Sequence, residues 1–554
     1  MSAKIQTAQQ WQEAYKSGDV AVGDFYDYPC WDLAGPVAAR MAGMNPLTAE
    51  DAREWKEFLR PHVNDEALLT PIDELTRGAV CVVTGQQAGA ALGPLYSLYK
   101  AFAAIHWAAE VRKSGTPCIA VFWIASDDHD IAEIREAKWL TSGGELSAAA
   151  LASDETKGRP AFAEPLDADL MKQFVERLEV STAPTEFRGE VIEALKNAFA
   201  DGANFESQFV SLFCKWLLPL GIIPIVPRLG FMRRRMGGVI TREIERFAET
   251  NREVVAGGKR VEAIGPKAPL HRNGDEVNFF LDVDGVRGKV TSTDGKYRIS
   301  EPIPGGKMLA EITDAELRAI AKSDPQRFSP NAILRPLAQD AALPTVGYVG
   351  GPSEVLYHGQ IGNLYRDFGV TRPAVLPRPN VFLLDTKIEK ALQKLGAANE
   401  GDFLDIVNDA IAGTVASPTS AIADSALEKV RTSLDEFDQK IRELNAGTGV
   451  VKALEKLQEG ANGALGLLQQ RITQFAESQD GDRLRAKEKV RQNLLPGGGP
   501  HEREVGMIAP LMVNYGAEIL APLQAAIVFN AAGFQAVKLG GLVKGAAADY
   551  ADKR

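Results

Sequence analysis

Four titratable side chains stand in a row in this chain, at Asp127, Asp128, His129 and Asp130. They follow an apolar run, 118–125, so they are predicted to lie at the end of a buried strand. Such a group can supply a general base, bind an amine or hold a divalent cation. Because adjacent residues point in different directions, at most two can face one ligand, and we predict Asp128 and His129 as the catalytic residues. A solvated loop is the alternative interpretation.

A glycine-rich loop is the second candidate site. It follows the apolar run 78–84 and contains Gly85, Gln86, Gln87, Gly89 and Gly93. Glycines let the backbone approach a ligand closely, and a helix whose first turn holds Pro94 would present free N–H groups to an anion. The glycines are therefore predicted to bind a nucleotide phosphate or another anion, and the glutamines to bind substrate. The loop matches neither the dinucleotide-binding nor the P-loop pattern, and a plain tight turn is the alternative.

A third group of polar residues recurs every four positions at Asn331, Arg335 and Gln339. On a helix these three side chains share a face. Arg335 is suited to bidentate capture of a carboxylate, although a structural ion pair fits the sequence equally well. Tyr348 is predicted to add a substrate-binding wall, and Gly351 to add to the nucleotide or anion site.

The elements that position these residues form a βαβ unit. Runs 78–84 and 118–125 are predicted as buried strands, and the segment between them has the apolar spacing of a helix. Strand, helix and strand in this order predict a parallel pair with a right-handed crossover. Ligands of such sheets bind beyond the carboxyl ends of the strands. The glycine loop and the Asp-Asp-His-Asp run should therefore face one crevice.

The rest of the N-terminal two thirds continues this α/β pattern. A third strand is predicted at 221–226, a helix at 132–140 and a loop or insertion at 141–165. Asp284-Gly285 between two apolar runs predicts a hairpin in a small β-rich insert at about 262–312. Ser353 is predicted to cap a following helix.

The C-terminal third changes to helix-forming residues. Apolar residues alternate at spacings of three and four along two segments, from Leu427 to Leu444 and from Leu454 to Phe475, separated by 445–449. This pattern predicts an antiparallel coiled-coil arm, with two amphipathic helices packed on a core as the alternative. The predicted domains are a core at 1–384, the arm at 385–495 and a segment at 496–554 that returns to the core.

Composition excludes several functional classes. The chain has 554 residues and a formal charge of −11, which argues against a nucleic-acid partner. Its four cysteines have no zinc-site spacing, so no metal is predicted. The apolar run 216–226 is too short to cross a membrane, and the first 16 residues have no signal-peptide pattern. A cytoplasmic protein is the expectation.

Several strings carry a family resemblance. They are TGQQ-x-G from Thr84, GPLY-x-x-YK from Gly93, FWIASDDHD from Phe122, FSPN, LRPL, YVGGP and the HER string at 501–503. In this order and spacing, from about residue 80 to about 515, they resemble the BshC family, the cysteine ligases of bacillithiol biosynthesis. The family more often has Glu where Asp127 stands, which keeps the charge, and Gln where His501 stands, which leaves residue 501 without an assigned role.

The resemblance implies a Rossmann-like core and an arm used for homodimerisation. It implies the substrates glucosaminyl-malate and cysteine, which are joined through an amide bond. ATP is the expected source of activation, because a carboxylate needs a good leaving group before an amine can displace it. The HxGH and KMSKS patterns of class I nucleotidyl-transfer enzymes are absent. A metal-dependent hydrolase that uses the Asp-Asp-His-Asp run and a non-catalytic dimeric scaffold remain alternatives.

Overall fold

The computed structural model describes residues 5–153, 158–303, 305–397, 400–411, 418–443, 447–479 and 481–542. The chain divides into two compact units. The core unit comprises Met1–Leu383 and His501–Arg554, and the arm unit comprises Leu384–Pro500. The sequence predicted a core at 1–384, an arm at 385–495 and a C-terminal segment at 496–554 that returns to the core.

Fourteen strands lie in the described residues. They are β1 (Val80–Gln86), β2 (Cys118–Ile124), β3 (Glu136–Leu140), β4 (Leu146–Ala150), β5 (Ile222–Ile225), β6 (Glu276–Val283), β7 (Val286–Thr293), β8 (Lys296–Ser300), β9 (Met308–Thr313), β10 (Phe328–Pro330), β11 (Thr345–Gly350), β12 (Ala374–Pro377), β13 (Asn380–Leu384) and β14 (Phe534–Lys538).

A five-stranded sheet in the order β12-β11-β1-β2-β5 forms the centre of the core unit. Every pair in it is parallel. All its strands are buried almost throughout, as expected of a parallel sheet with both faces covered. The predicted α/β class and parallel sheet are therefore confirmed.

Seventeen α-helices lie in the described residues of the core unit. They are α1 (Ala8–Lys16), α2 (Val20–Gly23), α3 (Ala34–Ala42), α4 (Ala49–Leu59), α5 (Ile72–Thr76), α6 (Leu95–Lys113), α7 (Ile131–Ile134), α8 (Ala168–Ser181), α9 (Arg188–Ala198), α10 (Phe205–Trp216), α11 (Gly230–Ile264), α12 (Asp314–Ser323), α13 (Leu334–Ala342), α14 (Pro352–Gln360), α15 (Gly362–Phe368), and, after the arm, α21 (His501–Glu504) and α22 (Leu520–Ala526).

The βαβ unit of β1, α6 and β2 forms as predicted, except that α6 begins after Pro94 instead of including it in its first turn. Pro94 precedes the first turn of α6 as its N-cap and has extended backbone angles. Gly85, at the end of β1, lies against β2, where a Cβ atom would approach Trp123 O to 2.6 Å. A glycine is therefore required there by the close strand pairing.

A second, antiparallel sheet has the order β10-β6-β7-β8-β9. Its first hairpin turns at Asp284 and Gly285, which both have positive φ angles, and this explains the Asp-Gly signal. Ile240 and Ile244 of α11 lie in its hydrophobic core. The predicted β-rich insert thus contains β6 to β9, and β10 adds an edge strand from outside the predicted range.

Two local predictions are wrong. The segment predicted as a helix at 132–140 contains only the short α7 and then β3, which pairs with β4 from the predicted loop at 141–165. The cap of α14 is Gly351 rather than Ser353, and Pro352 occupies the first turn. Pro352 fits there because its missing N–H would have no helical partner.

Five α-helices lie in the part of the arm unit that the structure describes. They are α16 (Thr386–Lys394), α17 (Glu400–Ile411), α18 (Pro418–Glu443), α19 (Thr448–Gln479) and α20 (Gly481–Leu494). Helices α18 and α19 pack together along the predicted seam, in which Leu427 and Leu454 are buried. Leu444 of the seam and residues 445–446 of the predicted break at 445–449 lie outside the described residues.

Candidate active site

The carboxyl ends of β1 and β2 bring the two predicted motifs into contact. Gln87 Nε2 donates hydrogen bonds to Asp128 Oδ2 at 2.8 Å and to Glu133 Oε2 at 3.1 Å. Asp128 Oδ1 accepts from the backbone N–H of His129 at 2.8 Å. The carboxylate of Asp128 is thus held in place from both sides while its side chain stays half-buried.

The first aspartate of the run has a different environment. Asp127 is buried and accepts a hydrogen bond from Arg233 NH2 at 2.6 Å. A buried carboxylate needs such a partner, because transferring an unpaired charge out of water is costly. Asp127 therefore anchors the loop to α11, while Asp128 and His129 remain accessible.

His129 is fixed in one tautomer by Arg287. Its Nδ1 lies 2.9 Å from Arg287 NH1, which can only donate, so Nδ1 accepts and the ring proton is on Nε2. Burial and the charge of Arg287 lower the pKa of His129 below its ordinary value. At neutral pH His129 therefore offers a donor from Nε2, and Asp128 is the member of the predicted pair that can accept a proton.

Arg287 itself is a buried residue of β7. It donates to Ser329 Oγ at 2.9 Å and to Pro330 O at 3.1 Å, and its guanidinium lies 3.8 Å from the ring centre of Phe280. Burial lowers its pKa to about 10, which still leaves it charged at neutral pH. The antiparallel sheet thus supplies the cation that orients His129.

A buried ion pair contacts the start of the glycine loop. Lys100 Nζ donates to Glu354 Oε2 at 2.7 Å and to Gly85 O at 2.5 Å. Burial lowers the pKa of Lys100, and the neighbouring carboxylate opposes this. Burial alone would raise the pKa of Glu354, but Lys100 and the N–H of Gly351 bring it below its ordinary value. The pair ties α6 and α14 to the end of β1.

Arg335 joins the same network from α13. Its guanidinium donates to Gln339 Oε1 at 3.0 Å, to Tyr348 OH at 3.2 Å and to the hydroxyl of Tyr357. Tyr348 OH in turn donates to Glu354 Oε1 at 2.5 Å. These contacts are with protein groups, so Arg335 holds the wall formed by Tyr348, and its capture of a substrate carboxylate stays a prediction.

The side chains of Asn331 and Gln339 form hydrogen bonds with other groups of the protein. Asn331 Oδ1 accepts from Ile333 N and Leu334 N at the start of α13, and its amide nitrogen donates to Asn278. Gln339 is fully buried and donates to Asp340 Oδ1 at 3.0 Å. Only Arg335 and Gln339 lie on α13, because Asn331 precedes it, so the three side chains do not share one helical face as predicted. A role of Asn331 and Gln339 in binding substrate stays a prediction.

The glycines predicted to bind a nucleotide have other partners. The N–H of Leu95, at the start of α6, donates to Val505 O at 2.8 Å, and the N–H of Gly351 donates to Glu354 Oε2 at 2.8 Å. Gly93 has a φ of 67°, and Gly89 lies against it. These two backbone donors are therefore engaged within the protein. The predicted nucleotide role of Gly85, Gly89, Gly93 and Gly351 stays a prediction.

A crevice of about 130 Å³ opens between the glycine loop, the segment after α7 and the residues after His501. Gln86, Gln87, Tyr96, Glu133 and Arg503 are among the residues that line it. The glycine loop lines this crevice, whereas Asp127 to Asp130 are not among its lining residues, so the predicted crevice shared by both motifs stays a prediction. A small polar molecule would contact both glutamines here.

The HER string supplies structural contacts beside the crevice. His501 Nε2 accepts from Leu383 N at 3.3 Å, and burial lowers its pKa to about 3, so the ring is neutral. Glu502 is buried and pairs with Arg378 at 2.8 Å. These contacts leave only Arg503 of the string exposed to a ligand.

Sequence reasoning missed Lys100, Glu133 and Arg287 as parts of the site. Lys100 ends the GPLY-x-x-YK string, which was a visible signal, and Glu133 lies three residues beyond the Asp-Asp-His-Asp run. Arg287 had no such signal, because it reaches the site from the inserted sheet. Within the described ranges, no three His, Cys, Asp or Glu side chains converge as metal ligands. Nor do those ranges contain a helix long and apolar enough to span a membrane.

Comparison with known families covers most of the chain. The family model described as the N-terminal Rossmann-like domain of bacillithiol biosynthesis BshC matches residues 2–379, and that of its C-terminal coiled-coil domain matches 381–539. These matches agree with the parallel sheet of the core unit and with the helical arm.

Curated relatives share one name, "Putative cysteine ligase BshC". The relative from Salinibacter ruber is 27% identical over 93% of this chain and 94% of its own. That from Chlorobaculum tepidum is 27% identical over 80% of both chains, and one from a Geobacillus species is 25% identical over 85% of this chain and 87% of its own. Similarity of this extent spans both units rather than one shared domain.

Proposed function

The chain belongs to the BshC family of bacillithiol biosynthesis, and from this premise we propose that it is a ligase that joins cysteine to glucosaminyl-malate through an amide bond. The observation that carries this proposal is the hydrogen bond between Gln87 and Asp128, which joins the carboxyl ends of two parallel strands. Ligands of parallel sheets bind at this edge. The site therefore has both the position and the polar groups that an amide-forming enzyme needs.

The chain supplies the proton chemistry of this reaction as follows. The amine of the sugar must lose a proton before it can attack a carboxyl carbon. Asp128 is anchored by Gln87 and can accept that proton, and a base in this position typically contributes about 10²–10⁴ in rate. His129, with its proton on Nε2, can donate a hydrogen bond to an oxygen that gains charge.

ATP is the proposed co-substrate, because it would convert the carboxylate of cysteine into a good electrophile. No residue is assigned to it here. Neither the hydrolase nor the scaffold alternative is favoured by an observation. Asp127 and Asp128 bond to Arg233 and Gln87 rather than facing each other as ligands of one metal.

We also propose that the arm forms a homodimer. Leu427 and Leu454 of the apolar seam are buried, but Val430, Phe437, Leu457 and Leu468 are each about half exposed, at 45–51%. A regular stripe of this kind is typical of a surface that packs against another helix. A second copy of the same arm provides the matching stripe.

Turnover tests the proposed function. The full chain is incubated with glucosaminyl-malate, L-cysteine and ATP, and the product is followed by mass spectrometry. We expect a product whose mass is the sum of the two substrates less one water, and we expect omission of ATP to abolish it. Absence of this product with all three components present would refute the proposal.

A further inference from the structure

The adjacent residues Gln86 and Gln87 present opposite hydrogen-bonding groups to the crevice, a donor and an acceptor. Lys100 Nζ, which can only donate, lies 3.4 Å from Gln86 Oε1, while Gln86 Nε2 donates to Tyr96 OH at 3.1 Å. This fixes the amide orientation of Gln86. One N–H of Gln86 Nε2 has no partner within the described chain, so this side chain offers a donor to a ligand.

The side-chain amide of Gln87 is fixed with its nitrogen, rather than its oxygen, bound to protein groups. Its Nε2 uses both hydrogens on the carboxylates of Asp128 and Glu133, which can only accept when ionised. No residue among those described donates to Gln87 Oε1. A buried or half-buried carbonyl without a donor costs free energy unless a ligand or water supplies one. Gln87 therefore offers an acceptor.

Five charged residues line the crevice, and two of them, Lys138 and Glu504, pair with each other at 3.2 Å. Glu133 is exposed, lines the crevice and bonds to Gln87. Arg503 is also exposed and lines the crevice, and it makes no ion pair within the described ranges. Arg503 lies close enough to Tyr96 to oppose the increase in the pKa of that hydroxyl, which burial raises to about 12. Arg503 thus lies near Tyr96, and Glu133, which also acts on the pKa of Tyr96, bonds to Gln87.

The size of the crevice limits the ligand. One water needs roughly 10–15 Å³, whereas sites for drug-sized ligands measure about 300–1,000 Å³. A volume of about 130 Å³ lies between these two ranges and accommodates a molecule of several heavy atoms. Gly89, Pro94, Ile134 and Ala137 add a small apolar wall.

We propose that this crevice binds a zwitterionic α-amino acid with a small side chain, which is L-cysteine if the function proposed above holds. Gln87 Oε1 and Glu133 accept hydrogen bonds from its ammonium group. Gln86 Nε2 and Arg503 donate to its carboxylate. The sugar acid then binds outside the crevice, where Asp128 can reach its amine.

Ligand analogues and variants test this assignment together. Binding of L-cysteine to the full chain is measured by calorimetry and compared with cysteamine, which lacks the carboxylate, and N-acetyl-L-cysteine, which lacks the ammonium. Each loses a charge-assisted hydrogen bond, so we expect each to bind about tenfold or more weakly. Arg503→Met should weaken the binding of L-cysteine by a similar factor. It should not further weaken the binding of cysteamine, which has no carboxylate for Arg503 to contact. Glu133→Gln should also weaken the binding of L-cysteine, but it should not further weaken the binding of N-acetyl-L-cysteine, which has no ammonium group. Glu145→Gln, at an exposed position outside the crevice, is the control and should bind L-cysteine like the parent.

The outcomes separate this inference from the proposed function. If L-cysteine does not bind at millimolar concentration, or if it binds parent, Arg503→Met and Glu133→Gln equally, the assignment is overturned. If turnover occurs but the KM for cysteine is the same in these variants, the ligase function stands and the crevice assignment fails. If the predicted pattern of binding appears but no ligated product forms, the amino-acid site stands and the ligase function fails.

Discussion

Gln87 Nε2 lies 2.8 Å from Asp128 Oδ2 and donates a hydrogen bond to it, although the two residues are 41 positions apart and follow different strands. The contact makes a single site from two loops. It also engages the side-chain nitrogen of Gln87, whose oxygen remains for a ligand, while each carboxylate oxygen of Asp128 already accepts at least one hydrogen bond.

The first prediction concerns the base. Asp128→Asn should lower kcat by about 10²-fold or more, because an amide cannot accept the proton of the sugar amine. His129→Gln should have a smaller effect, of about tenfold, because His129 is held as a donor by Arg287. Steady-state kinetics with both substrates varied separates kcat from KM.

Asp130→Asn is the matched control, because Asp130 belongs to the same run but is exposed. It should retain the parent rate. If His129→Gln loses more activity than Asp128→Asn, with both variants folded, then His129 rather than Asp128 is the base.

The second prediction concerns the buried ion pair. Lys100→Met should reduce the free energy of unfolding by about 3–5 kcal/mol, because it leaves Glu354 without its cation. The double variant Lys100→Met/Glu354→Gln should recover part of this loss, because no uncompensated charge remains. Chemical denaturation monitored by circular dichroism measures both changes.

Lys113→Met provides the control on the same helix. Lys113 pairs with Glu110 at the surface, where an ion pair contributes about 0–1 kcal/mol. Equal losses for Lys100→Met and Lys113→Met would show that the buried pair does not stabilise the core.

The third prediction is a pH dependence at Glu243. Burial raises the pKa of this carboxyl from 4.5 to about 7, while Asn278 donates two hydrogen bonds to one of its oxygens. Between about pH 4.5 and 7 the unfolded chain releases the proton and the folded chain keeps it. The contribution of Glu243 therefore lowers the free energy of unfolding as pH rises through this window, by about 3 kcal/mol in full.

Glu243→Gln removes this titration. The stability of the variant relative to the parent should increase from pH 4.5 to pH 8, as measured by denaturant midpoints at several pH values. Glu245→Gln, an exposed position two residues on, should show no such trend. A constant difference between Glu243→Gln and the parent across this range would contradict the prediction.

The fourth prediction concerns the arm. Leu468→Asp should convert the proposed dimer to a monomer, because it would place a charge in the apolar interface at a cost of several kcal/mol. Sedimentation velocity measures the change. Gln470→Asp adds the same charge at an exposed position of the same helix and should leave the dimer intact. A dimer unchanged by Leu468→Asp would rule out this interface.

The central fold could be predicted because its signals are local. Buried runs mark β1 and β2, glycine and proline mark the turns between elements, and Asp284-Gly285 marks the hairpin of the inserted sheet. Strand β3 was mistaken for a helix because Glu136–Leu140 contains no β-branched residue. Its strand state depends on pairing with β4, which local propensity does not encode.

The site was predictable only in part, for a related reason. Gln87 and Asp128 stand in visible strings at strand ends, so their proximity followed from the βαβ geometry. The ion pair of Lys100 and Glu354 joins residues 254 positions apart, and Arg287 reaches His129 across 158 positions. Such contacts depend on how the elements pack, and a single sequence carries no record of that packing.

The most direct test of the account is the identity of the bond that forms. Isotopically labelled L-cysteine, glucosaminyl-malate and ATP are incubated with the full chain, and the product is fragmented in a mass spectrometer. We predict a product that retains the labelled cysteine, including its free thiol, on the glucosamine nitrogen through an amide. A product with cysteine attached at any other atom, or no labelled product from a folded and cysteine-binding chain, would contradict the account.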